Sequence, residues 1–274
     1  MAKGDAGRAV LLIGAGRMGG ALIKGWIASK RFSAIHVVEP APSPAIKALA
    51  KKAIILHRAL PKKLPPLTAV VLAIKPQILK GEAELLRVLG KANALVLSIA
   101  AGIATPLLRE KIGLAAPLVR AMPNTPGAIG RGITVLYAGS KLSAVDRALT
   151  ESLMASLGET LWLEDEALMD AVTALSGSGP AYVFLLAEAL AAAGRAQGLD
   201  SATADKLARV TISGSGALLA ADPRPAYDLR QEVTSPGGTT EAALRVLMAG
   251  DGLESLLRRA IAAATARGKE LGKT

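Results

Sequence analysis

Residues 8–19 read Arg-Ala-Val-Leu-Leu-Ile-Gly-Ala-Gly-Arg-Met-Gly. The apolar run at 8–13 predicts a buried strand, and a helical pattern at 18–29 follows the glycines. A strand, a G-x-G-x-x-G turn and a helix in this order are typical of dinucleotide-binding sheets, where the glycines allow a tight turn and the close approach of a pyrophosphate. The residues predicted to bind the dinucleotide here are Gly14, Ala15, Gly16, Arg17, Met18 and Gly19.

A second strand is predicted at 35–38, and Glu39 follows it. This acid stands about 20 residues past the glycine turn, where a carboxylate can accept hydrogen bonds from ribose hydroxyls. Since a carboxylate repels a 2′-phosphate, Glu39 favours NADH over NADPH, although the nearby Arg58 could still reach a phosphate. A solvated loop acid is the alternative interpretation of Glu39.

Strands and helices continue to alternate as far as residue 163. The predicted strands are 53–56, 69–74, 95–99, 118–120, 132–137 and 160–163, and the predicted helices are 43–51, 78–89, 105–112 and 143–157. This alternation predicts an α/β fold with a doubly wound, mostly parallel sheet. Ligands bind such sheets at the carboxyl ends of the strands, and the segments expected there are Ile74-Lys75-Pro76, Ala100-Ala101-Gly102 and Met122-Pro123-Asn124-Thr125.

Two residues at these strand ends have candidate roles. Lys75 could serve a coenzyme phosphate or ribose, and a solvated lysine is the competing interpretation. Asn124 lies between two prolines and could bond the nicotinamide carboxamide, but an ordinary turn asparagine explains its position equally well.

Strand patterns end at the acidic segment Glu164-Asp165-Glu166, which we interpret as a hinge. We therefore predict a dinucleotide-binding domain at residues 1–164 and an all-helical domain at residues 165–274. The predicted helices of the second domain are 167–175, 180–193, 201–221, 225–233, 240–248 and 253–271.

The helix at 180–193 is almost entirely apolar and is interrupted only by Glu188. Ser178 is a candidate cap and Pro180 suits the first helical turn. A helix that is apolar on all sides must be buried in a core or against another subunit. We therefore predict that the helical domain is a dimerisation core.

The composition excludes several classes of site. Of the 274 residues 51% are hydrophobic and only 3% aromatic, so the core consists mostly of small aliphatic side chains. No cysteine is present, which excludes disulfides, thiol nucleophiles and thiolate metal sites, and two histidines are too few for a histidine-rich metal site. We expect no metal.

The charge and the apolar runs bear on partners and localisation. The net charge of +11 is spread without a long basic run, so we interpret it as a solvated surface and expect no nucleic acid. We find no signal peptide, and charged residues interrupt the apolar runs, so we expect a soluble cytoplasmic protein that does not span a membrane.

A second polar loop, Thr234-Ser-Pro-Gly-Gly-Thr-Thr240, precedes a helical pattern. Gly237 and Gly238 permit unusual backbone angles, and a turn that opens a helix leaves N–H groups pointing outward. Those donors and the positive end of the helix dipole suit a carboxylate or phosphate. The alternative is a capped loop between two helices.

Five motifs together resemble one family. They are Gly14-Ala-Gly-Arg-Met-Gly-Gly, Ile74-Lys-Pro, Met122-Pro-Asn-Thr-Pro126, Leu175-Ser-Gly-Ser-Gly-Pro-Ala-Tyr-Val-Phe184 and Val233-Thr-Ser-Pro-Gly-Gly-Thr-Thr240. In order and spacing they are similar to pyrroline-5-carboxylate reductases over essentially the whole chain. The resemblance implies NAD(P)H-dependent reduction of 1-pyrroline-5-carboxylate to L-proline, and a Rossmann domain followed by a helical domain that interlocks with its partner's, often in rings of dimers.

The resemblance also implies roles for particular residues. Ser235, Gly237, Gly238, Thr239 and Thr240 would surround the substrate, and Ser178 would border the same pocket. Beyond the glycine turn, the implied coenzyme contacts are Ala73, Ile74, Lys75, Pro76, Ala100, Ala101 and Gly102. Two residues depart from the family pattern: Glu39 stands where many relatives carry small polar residues that tolerate NADPH, and Arg195 stands where an apolar residue is usual and is interpreted as surface variation.

The chemistry of a cyclic imine is consistent with these residues. Its carboxylate needs oriented N–H donors, and its ring nitrogen must end protonated. We hypothesise that Thr240 hydrogen-bonds and orients that nitrogen, so that positioning supplies most of the acceleration. Because the strand alternation stops before residue 167, the substrate loop is expected on a different domain from the coenzyme.

Two other functions remain open from the residues. A β-hydroxyacid dehydrogenase or another imine reductase would place a catalytic lysine on a helix of the second domain, where Lys206 and Lys269 are the candidates. A dinucleotide sensor without enzymatic activity would have no need of the loop at 234–240.

Overall fold

The computed structural model describes residues 9–81, 94–112 and 116–273. An eight-stranded sheet forms the first part of the chain. Its strands are β1 (Ala9–Ile13), β2 (Ala34–Val38), β3 (Ile55–His57), β4 (Leu67–Leu72), β5 (Leu95–Ser98), β6 (Leu118–Pro123), β7 (Gly132–Tyr137) and β8 (Gly158–Leu163). The alternation predicted from the sequence is confirmed, but β3 and β4 are displaced by about two residues from their predicted bounds, since short apolar runs specify strand ends poorly.

The strand order is β3-β2-β1-β4-β5-β6-β7-β8. The first six strands are parallel and follow the order of a doubly wound dinucleotide-binding sheet. Strand β7 runs antiparallel to β6, and β8 is parallel to β7. The prediction of a mostly parallel sheet is therefore confirmed, and the reversal at β7 follows from the short connection through residues 124–131, which is too short for a helical crossover.

Helices cover both faces of the sheet, and their bounds are α1 (Arg17–Ser29), α2 (Pro44–Ala50), α3 (Pro76–Gly81), α4 (Thr105–Ile112) and α5 (Ala144–Met154). On one face Leu22 and Trp26 of α1 pack with Leu153 of α5. On the other face Leu79 and Leu108 join the second buried cluster. The helix predicted at 78–89 begins at Pro76, and its residues from 82 onward lie outside the described ranges.

After β8 the chain is helical, as predicted. A 3₁₀ turn (Glu166–Leu168), α6 (Met169–Val172) and a π-helical turn (Thr173–Gly177) replace the single helix predicted at 167–175. The remaining helices are α7 (Gly179–Ala196), α8 (Ser201–Ala221), α9 (Ala226–Glu232), α10 (Thr239–Leu247) and α11 (Leu253–Lys273). The bounds of α8 match the sequence prediction, since Asp200 caps its N-terminus by accepting a hydrogen bond from the Thr203 N–H.

The contacts divide the chain into two compact units, one of residues 1–177 with 265–274 and the other of residues 178–264. One residue of the acidic segment, Glu166, lies in the first of these units. Its carboxylate accepts hydrogen bonds from Thr105 and Arg120 and so belongs to the first unit. The domain boundary between residues 164 and 165 stays a prediction.

The second unit buries very little of its apolar surface. Its fully buried side chains are three alanines, Ala191, Ala204 and Ala208, which lie where α7 and α8 pack closely. Residues with large side chains, such as Phe184, remain exposed, at 63% for that residue. The apolar helix predicted at 180–193 is therefore not buried within one chain, which favours the other predicted placement, against another subunit.

One helical stretch of the described residues, Glu166–Ala196, is long and apolar enough to cross a membrane by length and composition alone, and 11% of its most apolar 18-residue window is buried. Asp170, Glu188 and Arg195 interrupt this stretch, as expected from the sequence, yet it still has the length and composition of a membrane span. One such stretch is weak evidence of a membrane span, since an apolar helix that packs against a partner subunit has the same composition.

A histidine pair lies at the edge of the sheet, on β2 and β3. The rings of His36 and His57 are stacked, with Nδ1 of His36 and Nε2 of His57 3.1 Å apart. His36 is buried, and this burial, together with the neighbouring His57, lowers its pKa below the ordinary 6.5. Below pH 6.5 the unfolded chain therefore binds a proton more readily than the folded chain at His36.

We predict that His36 makes the unfolding free energy fall on acidification. This loss should set in as the pH falls below 6.5, the ordinary pKa of the unfolded chain, and His36→Gln should remove it. Urea unfolding of both proteins as a function of pH, at one protein concentration, measures the difference. The control His57→Gln should keep most of the dependence, because burial is the larger cause; identical pH profiles for wild type and His36→Gln would contradict the prediction.

Candidate active site

The loops that follow β1, β2, β4 and β5 meet at one edge of the sheet. The Gly14 N–H donates to the Val38 carbonyl at 2.9 Å and the Ala73 N–H donates to the Ile13 carbonyl at 2.7 Å. The Ile99 N–H donates to the Leu72 carbonyl at 3.0 Å. The structure thus brings together the carboxyl-end segments that the sequence predicted for the coenzyme.

The glycine turn has the geometry that a dinucleotide requires. Gly14 has a φ of 93°, and a Cβ there would lie 2.6 Å from the Ala73 carbonyl oxygen. A Cβ on Gly19 would overlap the carbonyl oxygen of Gly14. Gly16 is different, because a Cβ there would meet no atom within 4 Å. Gly14 and Gly19 are therefore required by packing, and Gly16 leaves open space beside the backbone.

Helix α1 begins in this open space. Its cap residue Gly16 makes no side-chain hydrogen bond, and the first turn contains no acidic residue. The side chain of Arg17 is exposed and that of Met18 is half-buried. Unpaired N–H groups and the positive end of the helix dipole face the same place, which fits a pyrophosphate.

Glu39 lies against the glycine turn. One carboxylate oxygen accepts from the Ala15 N–H at 2.8 Å, and the other accepts from the Ala41 N–H at 3.0 Å. Arg58 is close by, where its guanidinium donates to the Pro40 carbonyl at 2.7 Å. Glu39 therefore stabilises the glycine turn through a hydrogen bond, and its charge lies beside the place expected for the ribose.

The other predicted coenzyme residues lie at the same edge. Ala73 and Ile74 are half-buried, whereas Lys75 is exposed just before α3 begins at Pro76. Ala100 is buried, and its N–H donates to Ser98 Oγ at 3.4 Å. The next residue, Ala101, is exposed, so the loop after β5 offers backbone and small side chains to a ligand.

Asn124 follows β6 at this edge, but its amide is engaged at both ends. Its Oδ1 accepts from the Ile133 N–H at 3.0 Å and its Nδ2 donates to Ser176 Oγ at 3.3 Å. This geometry favours the structural interpretation of Asn124, which ties the loop after β6 to β7. Its contact with a nicotinamide stays a prediction.

The second unit carries the loop at 234–240. Gly237 has a φ of 71°, and its N–H donates to a carboxylate oxygen of Glu241 at 2.7 Å. The Gly238 N–H donates to the Ser235 carbonyl at 2.9 Å. The N–H groups of the two glycines therefore both find acceptors, one in the first turn of α10 and the other within the loop.

The donors that remain belong to the first turn of α10. Its first helical bond joins the Ala242 N–H to the Gly238 carbonyl at 3.2 Å, and the cap residue Gly238 offers no side chain. The N–H groups of Thr239, Thr240 and Glu241 precede that bond and have no acceptor within the helix. The hydroxyl groups of Ser235, Thr239 and Thr240 are on the same short segment.

Ser178 stands ahead of α7, but it does not act as the predicted side-chain cap. Its backbone is helical, with φ of −85° and ψ of −24°, and its hydroxyl makes no capping hydrogen bond. A side-chain cap requires an extended backbone, and the π-helical turn at Thr173–Gly177 runs directly into α7 instead.

Sequence reasoning missed a buried ion pair in the first unit. Arg120 is 6% exposed in the otherwise apolar β6, and its Nη1 donates to Glu166 at 2.9 Å. A lone arginine in an apolar strand is a signal for a buried acidic partner, but it does not say which acid. Glu241 was also missed, and its spacing of four residues from Arg245 was the available signal.

A Rossmann-type sheet with this glycine turn, followed by a helical unit, is the architecture of a dinucleotide-dependent oxidoreductase. Residues 166–271 match the family model for pyrroline-5-carboxylate reductase dimerisation, and residues 9–102 match the model for NADP oxidoreductase, coenzyme F420-dependent. The chain belongs to the pyrroline-5-carboxylate reductase family.

Relatives and solved structures agree with this assignment. The chain is 40% identical over 266 residues to the pyrroline-5-carboxylate reductase of Pseudomonas aeruginosa. This alignment covers 96% of this chain and 97% of the relative. It is similar to the structure of a pyrroline-5-carboxylate reductase from Coxiella burnetii, with a TM-score of 0.88, 36% identity, and coverage of 97% of this chain and 98% of that chain.

A structure of Plasmodium falciparum pyrroline carboxylate reductase with NADP bound is also similar. It has a TM-score of 0.78 and 25% identity, and the match covers 98% of this chain and 100% of that chain. The fold class predicted from the sequence and the family resemblance are thus both confirmed.

The open space at Gly16 leads to a prediction. Gly16 has an extended backbone with a φ of −66°, which alanine can adopt, so Gly16→Ala should lower the unfolding free energy by only about 1 kcal/mol, the usual cost of alanine at a helix N-cap. The added methyl group should nevertheless raise the Kd for NAD(P)H on the order of tenfold, because it occupies the approach to the backbone. Fluorescence titration with the reduced coenzyme measures this Kd.

Gly14→Ala is the matched control, since its φ of 93° and the contact with Ala73 predict a loss of stability of roughly 2–4 kcal/mol. Folded Gly16→Ala protein with the wild-type Kd would refute the role assigned to Gly16.

Proposed function

We propose that the chain reduces 1-pyrroline-5-carboxylate to L-proline with NAD(P)H, the last step of proline biosynthesis. The observation that carries the proposal is full-length similarity to enzymes of that name, together with a glycine turn whose Gly16 leaves open space at a helix N-terminus. The reaction class is hydride transfer to a C=N bond.

The coenzyme binds at the carboxyl edge of the sheet in this proposal. The residues that would hold it are Gly14, Ala15, Gly16, Arg17, Met18, Gly19, Glu39, Ala73, Ile74, Lys75, Pro76, Ala100, Ala101 and Asn124. When bound, the reduced nicotinamide supplies the hydride. The uncapped N-terminus of α1 binds the pyrophosphate, and Glu39 stands beside the ribose, where its charge favours NADH.

The loop before α10 binds the substrate. The free N–H groups at 239–241 and the dipole of α10 attract its carboxylate. Ser235, Gly237, Gly238, Thr239 and Thr240 are the proposed contacts, and Ser178, whose hydroxyl is not used as a cap, borders the pocket. The bonds from Gly237 to Glu241 and from Gly238 to Ser235 hold the turn in shape, so little backbone entropy remains to be lost on binding.

Thr240 is the proposed catalytic residue. Its hydroxyl both donates and accepts hydrogen bonds, so it can orient the ring nitrogen and relay a proton to it from water. The chain has only two histidines, and both lie on strands of the first unit. Positioning of the two reactants supplies most of the acceleration.

The helical part is the dimerisation domain, as its family model states. We propose that residues 165–274 carry the substrate loop and the dimer contacts and that residues 1–164 bind the dinucleotide. The exposed apolar side chains of the second unit support a homodimer, and rings of dimers are a further proposal. We place the protein in the cytoplasm, away from membranes and nucleic acid.

The test is oxidation of NADH and NADPH, in parallel, by purified protein with 1-pyrroline-5-carboxylate. Rapid oxidation of either is the expected result. Glu39→Gln keeps an acceptor oxygen for the Ala15 N–H but removes the charge, so the ratio of the NADPH to the NADH efficiency should rise on the order of tenfold. An unchanged ratio would show that Glu39 does not select the coenzyme, and oxidation of neither by folded, dinucleotide-bound protein would refute the proposed function.

Thr240→Ala tests the catalytic role. We expect kcat to fall about 10²-fold or more, since the variant can neither orient the ring nitrogen nor relay a proton. Steady-state kinetics measure kcat. An unchanged coenzyme Kd and melting temperature would show that the fall in kcat is not caused by misfolding. Thr240→Ser keeps the hydroxyl and should retain most activity; near-wild-type kinetics in Thr240→Ala would exclude the assigned role.

A further inference from the structure

The carboxylate of Glu166 makes three hydrogen bonds inside the first unit. Its Oε1 accepts from the Thr105 N–H at 2.8 Å and from Arg120 Nη1 at 2.9 Å. Its Oε2 accepts from Thr105 Oγ1 at 2.5 Å. The side chains of Arg120 and Glu166 are only 8% and 17% exposed, so these bonds are formed largely away from water.

Arg120 explains why an acid must stand here. It lies in β6, where its neighbour on β5 is Ser98 and its neighbour on β7 is Tyr137. A buried guanidinium that loses its partner is strongly destabilising. This pairing alone, however, accounts for only one of the three bonds of Glu166.

The other two bonds of Glu166 are made to Thr105, which lies at the end of the loop that follows β5. This loop runs from Ile99 to Ala104, and α4 begins at Thr105. Its start is held by the bond from Ile99 to Leu72 and by the bond from Ala100 to Ser98. Its end is held by Glu166, which takes both the N–H and the hydroxyl of Thr105. The loop is therefore restrained at both ends, and the second restraint comes from a residue 61 positions later in the chain.

The restrained residues are those expected to touch the coenzyme. Ala100 and Ala101 lie between the two restraints, and Gly102 adopts a φ of 71°. Since no side chain longer than a methyl group is present at 100–102, the path of the backbone decides where this part of the coenzyme edge lies.

We propose that Glu166 is a positioning residue for the coenzyme: its carboxylate holds Thr105, and through Thr105 the loop at 99–104, in the conformation that receives the dinucleotide. This inference rests on the proposed function only in taking NAD(P)H as the ligand of that loop. It gives Glu166, which begins the segment matched by the dimerisation model, a role in the coenzyme half of the chain.

The experiment separates positioning from stability with three variants of the full-length protein. Glu166→Gln weakens the bonds to Thr105 and leaves Arg120 without a charged partner. The double variant Arg120→Met with Glu166→Met removes both buried charges but still leaves Thr105 without its acceptor. Thr105→Val removes the hydroxyl donor and leaves the ion pair. Glu110→Gln removes an exposed carboxylate from α4 and is the matched control.

The readouts are the Kd for NADH and NADPH by fluorescence titration, the melting temperature, and the KM for 1-pyrroline-5-carboxylate. We expect Glu166→Gln and the double variant to raise the coenzyme Kd on the order of tenfold, with a smaller rise in Thr105→Val. The melting temperature should fall most in Glu166→Gln and recover in the double variant. The KM for the substrate and all values for Glu110→Gln should stay near wild type.

A double variant that recovers its melting temperature and also binds coenzyme with the wild-type Kd would overturn the inference, since Glu166 would then act only on stability. If Glu166→Gln does not fold, Thr105→Val and the double variant still test whether Glu166 positions the loop. The Kd is measured without substrate, so wild-type protein that binds a dinucleotide but does not turn over refutes the proposed function alone. Wild-type protein that binds neither dinucleotide refutes both.

Discussion

The contact between α1 and the carbonyl group of Gly14 determines the geometry of the coenzyme edge. A Cβ at Gly19 would overlap that carbonyl oxygen, so the helix can approach the end of β1 only because Gly19 has no side chain. This approach aims the N-terminus of α1 at the carboxyl ends of the parallel strands. The backbone bonds from Gly14 and Ala73 then set the neighbouring loops around it.

A different constraint governs the helical part of the chain. Its core consists of alanines, which let α7 and α8 pack closely but remove little apolar surface from water. The large side chains, Phe184 among them, stay exposed. A unit of this composition depends on a second chain for most of its hydrophobic stabilisation, which accords with the dimerisation family model that covers it.

The residues around Gly14 and Glu166 show how much of the structure could be predicted from the sequence. The strand, turn and helix around Gly14 were predictable because the apolar period and the glycine spacing are local signals. The segment after β8 was predicted as a hinge followed by one helix, yet Glu166 bonds Thr105 at the start of α4 and Arg120 in β6. Acidic residues near a strand end look alike in sequence, since their partners lie many positions away.

The same distinction holds within the proposed site. The sequence by itself determined the α/β class, the glycine turn, the helical second half and the family, because each depends on residue order and local spacing. Only the tertiary structure decided that Glu39 bonds the Ala15 N–H, that the Asn124 amide is engaged at both ends, and that Glu241 takes the Gly237 donor. A hydrogen bond depends on where two groups meet in the folded chain, and residue type alone specifies only that each polar group must find a partner.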